Sequence, residues 1–232
     1  MKLWTDIATA AGVNLSAEQI GRLGAYLDGL IETNKTLNLT RIVDRQDAAV
    51  KHVGDALTLL PFLPSPSTAP ISPPPPRGGG DLAPAGSAAA RWSLADVGTG
   101  GGIPGVILAI VRPDIAVTLI DSTAKKLAAV ASICDRIGLT NVTTLHARIE
   151  QTPRQFDVIT ARGVAELTKL LGWCRGLMKP TSVLLAMKGP RVVEEMENLT
   201  PAQRKQFQFE QHGVTVPELS GHVIVRAALK SR

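Results

Sequence analysis

The ten residues DVGTGGGIPG, positions 96–105, hold the densest run of residue types that could do chemistry in this chain. Asp96 is followed by glycines at 98, 100 and 102, and the run closes on Ile103, Pro104 and Gly105. Glycines let a main chain approach a ligand closely, and a helix opening behind them offers it free N–H groups. Gly100 to Gly105 satisfies G-x-G-x-x-G, so a dinucleotide is one candidate ligand. Asp96 argues for another. A carboxylate before the turn would repel a pyrophosphate but attract a cationic, amino-acid-bearing ligand such as S-adenosylmethionine.

Spacing points the same way. The register D-x-G-x-G-x-G resembles the first motif of S-adenosylmethionine-dependent methyltransferases. Asp121 ends the next apolar run about twenty residues on, where an acid can accept ribose hydroxyls from either nucleoside ligand. Methyl transfer is an in-line displacement in which positioning does most of the work, so the open question is the acceptor. An exocyclic amine calls for a DPPY-like motif, but the fourth predicted strand ends Thr160-Ala161-Arg162-Gly163. A ring carbon needs a cysteine nucleophile, and Cys134 and Cys174 both lie in helical patterns. A hydroxyl often wants a base or a metal; His146 ends a strand without a partnered cluster, and no metal site is expected. Ring nitrogen 7 of guanine needs no deprotonation and suits these absences.

The elements that must position these residues follow from periodicity. Ser16 and Gln19 read as a capping box, with Ile20, Leu23, Leu27, Leu30 and Ile31 at helical spacing behind it. A second helix is predicted from Asp44, with Val53, Leu57 and Leu60 on its apolar face and Lys51, His52 and Asp55 on its polar side. Residues 1–63 are therefore expected to form a helical extension. Residues 64–91 are rich in proline, glycine and alanine and are expected to be a flexible linker or insertion. From residue 92 to 232, SLADV, AVTLID, NVTTLH, FDVITA and SVLLAM read as strands alternating with helices near 103–111, 123–137, 164–178 and 190–197. That alternation predicts an α/β fold with a mostly parallel sheet. GVTVPEL and HVIVRAAL read as a closing hairpin, with an antiparallel strand near the edge.

Composition bounds the rest. The formal charge is +5, which favours a polyanionic partner, while 3% aromatic residues argue against long stacking platforms for single strands. Two cysteines without a CxxC pair fit a reducing compartment, and the apolar run Ile103–Val111 is too short to span a bilayer. A cytoplasmic monomer without a membrane segment is expected.

LNLT (37–40), KHVGDAL (51–57), DVGTGGGIPG, LIDSTAKK (119–126), ARIE (147–150), FDVITAR (156–162) and LLAMKG (184–189) together resemble the GidB (RsmG) family of small-subunit rRNA guanine 7-methyltransferases. The resemblance implies a Rossmann-like class I methyltransferase fold of seven strands. It further implies S-adenosylmethionine as methyl donor and a guanine of 16S rRNA, in the small ribosomal subunit or its assembly intermediate, as acceptor. By matched position, Gly98 and Ile103 contact the donor, Ile149 and Glu150 flank its adenine, and Arg162 lines the site, against the donor carboxylate or an RNA phosphate. His52, Asp55 and Lys188 fall on the acceptor side. Gly163 departs from the alanine usual after the arginine. A small-molecule methyltransferase and a dinucleotide-dependent oxidoreductase remain the alternatives.

Overall fold

The computed structural model describes residues 1–65, 92–214 and 216–230. Of the stretch expected as a linker, residues 66–91 lie outside the described residues. Five parallel strands, β1 (Trp92–Val97), β2 (Ile115–Asp121), β3 (Val142–His146), β4 (Phe156–Arg162) and β5 (Met178–Lys188), are followed by β6 (Phe207–Gly213) and β7 (Val223–Leu229). Their order is β3-β2-β1-β4-β5-β7-β6, and β7 runs antiparallel to both of its neighbours. Strand order reverses between β1 and β4. In open α/β sheets the crevice beyond the carboxyl ends of such strands is where ligands bind.

The period-two alternation of the strands divides the core into two layers. Leu94, Val117 and Leu119 face one side, where α5 (Gly105–Val111), α6 (Ala124–Arg136) and the N-terminal helices α1 (Lys2–Ala10) and α2 (Ala17–Leu37) share one apolar cluster. Ala95, Val97 and Ile120 face the other, against α7 (Leu167–Cys174) and α8 (Val192–Glu197). The capping box of Ser16 and Gln19 opens α2 as expected, and Leu23, Leu27 and Leu30 are fully buried. Gln19 also donates to the carbonyls of Ile110 and Val111, tying the start of α2 to the end of α5.

Three expectations are corrected. The hairpin's first strand is Phe207–Gly213, preceded by a short helix α9 (Pro201–Gln206); GVTVPEL contributes only Gly213 to it and ends in a 3-10 turn at Pro217–Leu219. Pro217 has no N–H for a ladder, whereas an edge strand such as β6 tolerates the polar residues of FQFEQHG. The helix expected at 164–178 closes at Cys174, because a 3-10 turn and then β5 take over. The helix starts at Asp44 as expected, with that residue as its cap, but passes through a π-helical stretch at Ala49–Gly54, between α3 (Arg45–Ala48) and α4 (Asp55–Leu57). Its supposed polar side turns inward there: His52 and Asp55 are buried. Both are hydrogen-bonded, which is what makes such burial tolerable.

Candidate active site

The glycine loop links the end of β1 to α5 and is braced from beneath by Asp96. That carboxylate is fully buried. Its Oδ2 accepts from Thr99 Oγ1 at 2.5 Å and from the Gly105 N–H at 3.0 Å, and its Oδ1 accepts from Thr160 Oγ1 at 3.0 Å. Desolvation pushes the Asp96 carboxyl up to about 6, opposed by those donors and by the charge of Arg162. Gly105 is fixed by this contact, since a Cβ there would stand 2.8 Å from Asp96 Cβ and 2.5 Å from Leu119 Cδ2. Asp96 thus faces the interior and ties the loop to β4.

Gly98 has φ 62°, and a Cβ on it would lie 2.7 Å from Val164 Cγ2. It opens a cleft of about 250 Å³ lined by Asp121, Ile149, Glu150, Val164 and Trp173. Asp121 spans the loop: its Oδ2 accepts from the Gly100 N–H at 3.0 Å and its Oδ1 from the Thr123 N–H at 2.8 Å. Gly98, Asp121, Ile149 and Glu150 therefore come together. Gly102 and Ile103 lie behind the loop: Gly102 packs against Val106, Val130 and the Tyr26 hydroxyl, and Ile103 joins the apolar cluster. Tyr26 donates to the Gly101 carbonyl at 2.7 Å, and the Leu39 carbonyl of LNLT lies against Gly100, so the N-terminal segment clamps the loop.

A second cleft, of about 330 Å³, opens at the ends of β4, β5 and β7 and is lined by Ile42, Arg162, Met187, Lys188, Glu218 and His222 among others. Arg162 ends β4, and its partners are protein groups. Nη1 donates to the Lys51 carbonyl at 2.6 Å and to Asp55 Oδ2 at 3.2 Å, and Nη2 donates to His52 Nδ1 at 2.8 Å. The same Asp55 carboxylate, through Oδ1, is 3.0 Å from His222 Nδ1. Burial and the adjacent guanidinium depress His52 to about 4, so its ring is neutral. An arginine can only donate, so Nδ1 is the acceptor and Nε2 carries the hydrogen toward Thr40 Oγ1 at 2.8 Å. Lys188 is nearly buried, donating to the Ala165 carbonyl and to Glu195, both at 2.6 Å; Glu195 also holds the Leu167 N–H. Lys188 thus pins the segment after β4 onto α8.

Sequence reasoning missed His222 and the wall formed by Val164 and Trp173. The first follows a Ser-Gly turn with nothing local to mark it, and the others read as ordinary helix-start and helix-core residues. The cysteines face neither cleft; both are buried, with thiols pushed up to about 12 by desolvation. Among the described residues, no group of three or more His, Cys, Asp or Glu side chains is placed to hold a metal, and no helix is long and apolar enough to cross a membrane.

A seven-stranded sheet in this order, with a glycine-loop cleft at its switch point, defines a class I S-adenosylmethionine-dependent methyltransferase. Residues 84–222 match the family described as rRNA small subunit methyltransferase G, or GidB. A protein of Sorangium cellulosum (strain So ce56) named ribosomal RNA small subunit methyltransferase G is 40% identical over 192 residues, covering 81% of this chain and 71% of that protein. One of the same name from Acidovorax ebreus (strain TPSY) is 37% identical over 212 residues, covering 91% and 87%. The chain belongs to this family. Among solved structures, the ribosomal protein L11 methylase of Lactobacillus delbrueckii subsp. bulgaricus overlays with a TM-score of 0.49 at 16% identity, over 60% of this chain and 70% of that one.

Proposed function

We propose that this protein transfers a methyl group from S-adenosylmethionine to ring nitrogen 7 of a guanine in 16S rRNA, on the small ribosomal subunit or its assembly intermediate, in the cytoplasm. The single observation that carries the choice of acceptor is the state of the groups around the Arg162 cleft. His52 is neutral with both ring nitrogens engaged, Asp55 is engaged by Arg162 and His222, and both thiols are buried elsewhere. Neither His52 nor Asp55 is then free to act as a base on an acidic acceptor, and neither thiol is at hand for ring-carbon attack. Guanine nitrogen 7 needs neither: its lone pair attacks, and no proton has to leave.

The donor-side cleft fits its ligand. Gly98 keeps clear the space a Cβ would fill, Ile149, Val164 and Trp173 offer apolar contact to an adenine, and Asp121 offers lone pairs to ribose hydroxyls. S-adenosylmethionine supplies an electrophilic methyl on a sulfonium, a good leaving group. We assign direct donor contact to Gly98, Asp121, Ile149 and Glu150. Asp96, Gly100, Gly102 and Ile103 hold the loop in shape, and Arg162, supported by His52 and with Lys188 anchoring its flank, presents positive charge to the acceptor. Residues 1–63 act as a helical extension that clamps the loop of the catalytic part, 92–232.

The test is labelled methyl transfer to small subunits lacking the modification, followed by nucleoside analysis. The expected label is in 7-methylguanosine, with subunit affinity falling steeply as salt rises. Donor binding without such label would refute the reading.

A further inference from the structure

The acceptor-side cleft contains a chain of polar groups in which His222 alone lies outside the motifs read from the sequence. His222, Asp55, Arg162, His52 and Thr40 are linked in series, from the turn before β7 through the π-helical segment and the end of β4 to the loop after α2. Asp55 is the hub. Its side chain is only 4% exposed, and each of its oxygens takes one partner, Arg162 on one and His222 on the other. His222 is 39% exposed and lines the cleft, so the carboxylate is held from the solvent side by a group that itself faces the ligand space.

The consequence falls on Arg162. A guanidinium has five N–H donors, and three are committed here, to Lys51, Asp55 and His52. Among the described residues two remain, on a side chain 22% exposed at the cleft wall. We propose that His222, acting through Asp55, is a positioning residue that fixes Arg162 so that its two spare donors meet the O6 carbonyl of the acceptor guanine. This rests on the reading of guanine nitrogen 7 as the methyl acceptor. O6 lies beside nitrogen 7 on the same edge of the purine, so a donor held on O6 orients nitrogen 7 while leaving its lone pair free to attack. Adenine carries an amine donor at that position, and two donors facing each other repel. The same contact therefore orients the base and selects guanine. Without His222, Asp55 can swing, and the guanidinium loses one of the constraints that aim it.

The experiment compares His222→Ala and His222→Asn with the wild-type protein on unmodified small subunits. The amide N–H of asparagine can take the place of the Nδ1 hydrogen bond to Asp55, so it is the conservative replacement. We expect kcat to fall about tenfold in H222A, the size of one lost hydrogen bond to a charged group. The KM for subunits, set by the wider RNA contacts, and the Kd for S-adenosylmethionine should both stay at the wild-type value, and H222N should recover most of the loss. H222A turning over like wild type would overturn the proposal. So would H222N as impaired as H222A with a parallel fall in thermal midpoint, which would make His222 merely structural. A wild-type control that forms no 7-methylguanosine would remove the guanine reading and this proposal with it, and it is seen before any variant is made.

Discussion

The two clefts of this protein are built by opposite means. On the donor side one wall of the ligand space is main chain, with Gly98 at φ 62° and the Gly100 N–H on Asp121, and mostly apolar side chains such as Ile149, Val164 and Trp173 close it. On the acceptor side it is shaped by charged side chains from remote segments, with Asp55 paired to Arg162 across 107 residues and to His222 across 167. A main-chain cradle is specified locally and fails when a side chain intrudes. A charged network is specified by the whole fold and fails when any member leaves the others unpaired. Asp96 lies between the two, holding Gly105 of the loop on one side and Thr160 of β4, two residues before Arg162, on the other.

That seam is where the contrast breaks most severely. Asp96→Ala strands three buried donors, and unfolding in denaturant should show a loss of about 3–5 kcal/mol, with both donor binding and transfer impaired. Asp96→Asn should cost less, because its carbonyl can still face Gly105 while its amide faces Thr160. Equal stability of D96A and wild type would dismiss the bracing role. Next comes Arg162→Ala, expected to lower kcat/KM for subunits about a hundredfold, or roughly 3 kcal/mol, while calorimetry finds donor affinity unchanged. A comparable loss of donor affinity would mean the two clefts are not separable in this way. Gly98→Ala is the mirror image. Its Cβ would stand 2.7 Å from Val164 in a backbone conformation that side chains avoid, so donor Kd should weaken about thirtyfold, or ~2 kcal/mol, with subunit binding intact.

The smallest effect is on pH. His52 is depressed to about 4, so the unfolded chain takes up its proton first, and this contribution to stability is lost as pH falls from the ordinary histidine value of 6.5 toward 4. Asp96 is raised to about 6 and acts with the opposite sign, its contribution fading as pH rises from 3.8 through 6. The net change between pH 4 and 6.5 should be about 1 kcal/mol or less. His52→Gln should flatten the acid-side fall in thermal midpoint; a profile parallel to wild type would show that the neutral ring is not what shapes it.

How far each region was legible in the sequence follows from the same difference. DVGTGGGIPG announces its strand–loop–helix context and its ligand class within ten residues, and Asp121 ends the next strand as the alternation implies, whereas Ile149 and Glu150, in the 3-10 turn after β3, were marked only by the family resemblance of ARIE. The chain around His52 and Asp55 misled. Its helical spacing put Lys51, His52 and Asp55 on one polar side; Lys51 stays exposed, but His52 and Asp55 are buried at the π-helical stretch and just after it, where Arg162 and His222 make that burial tolerable. β6 was missed for a related reason. FQFEQHG lies at the edge of the sheet, where one side of the ladder is unpaired and apolar residues are not required, so its pattern is faint beside that of GVTVPEL.

By itself, then, the sequence determined what depends on near neighbours: the capping box of α2, the glycine loop with Asp96 before it, the five parallel strands and the family they belong to. Tertiary structure decided what depends on who meets whom across the sheet. It set Asp96, whose charge before the turn pointed to a cationic ligand, in the interior as a brace, gave Arg162 a carboxylate and a neutral histidine as partners, and brought His222 to the same carboxylate. Hydrogen bonds between side chains more than a hundred residues apart leave no periodicity behind. Their geometry is fixed only once strand order and loop packing have closed the fold.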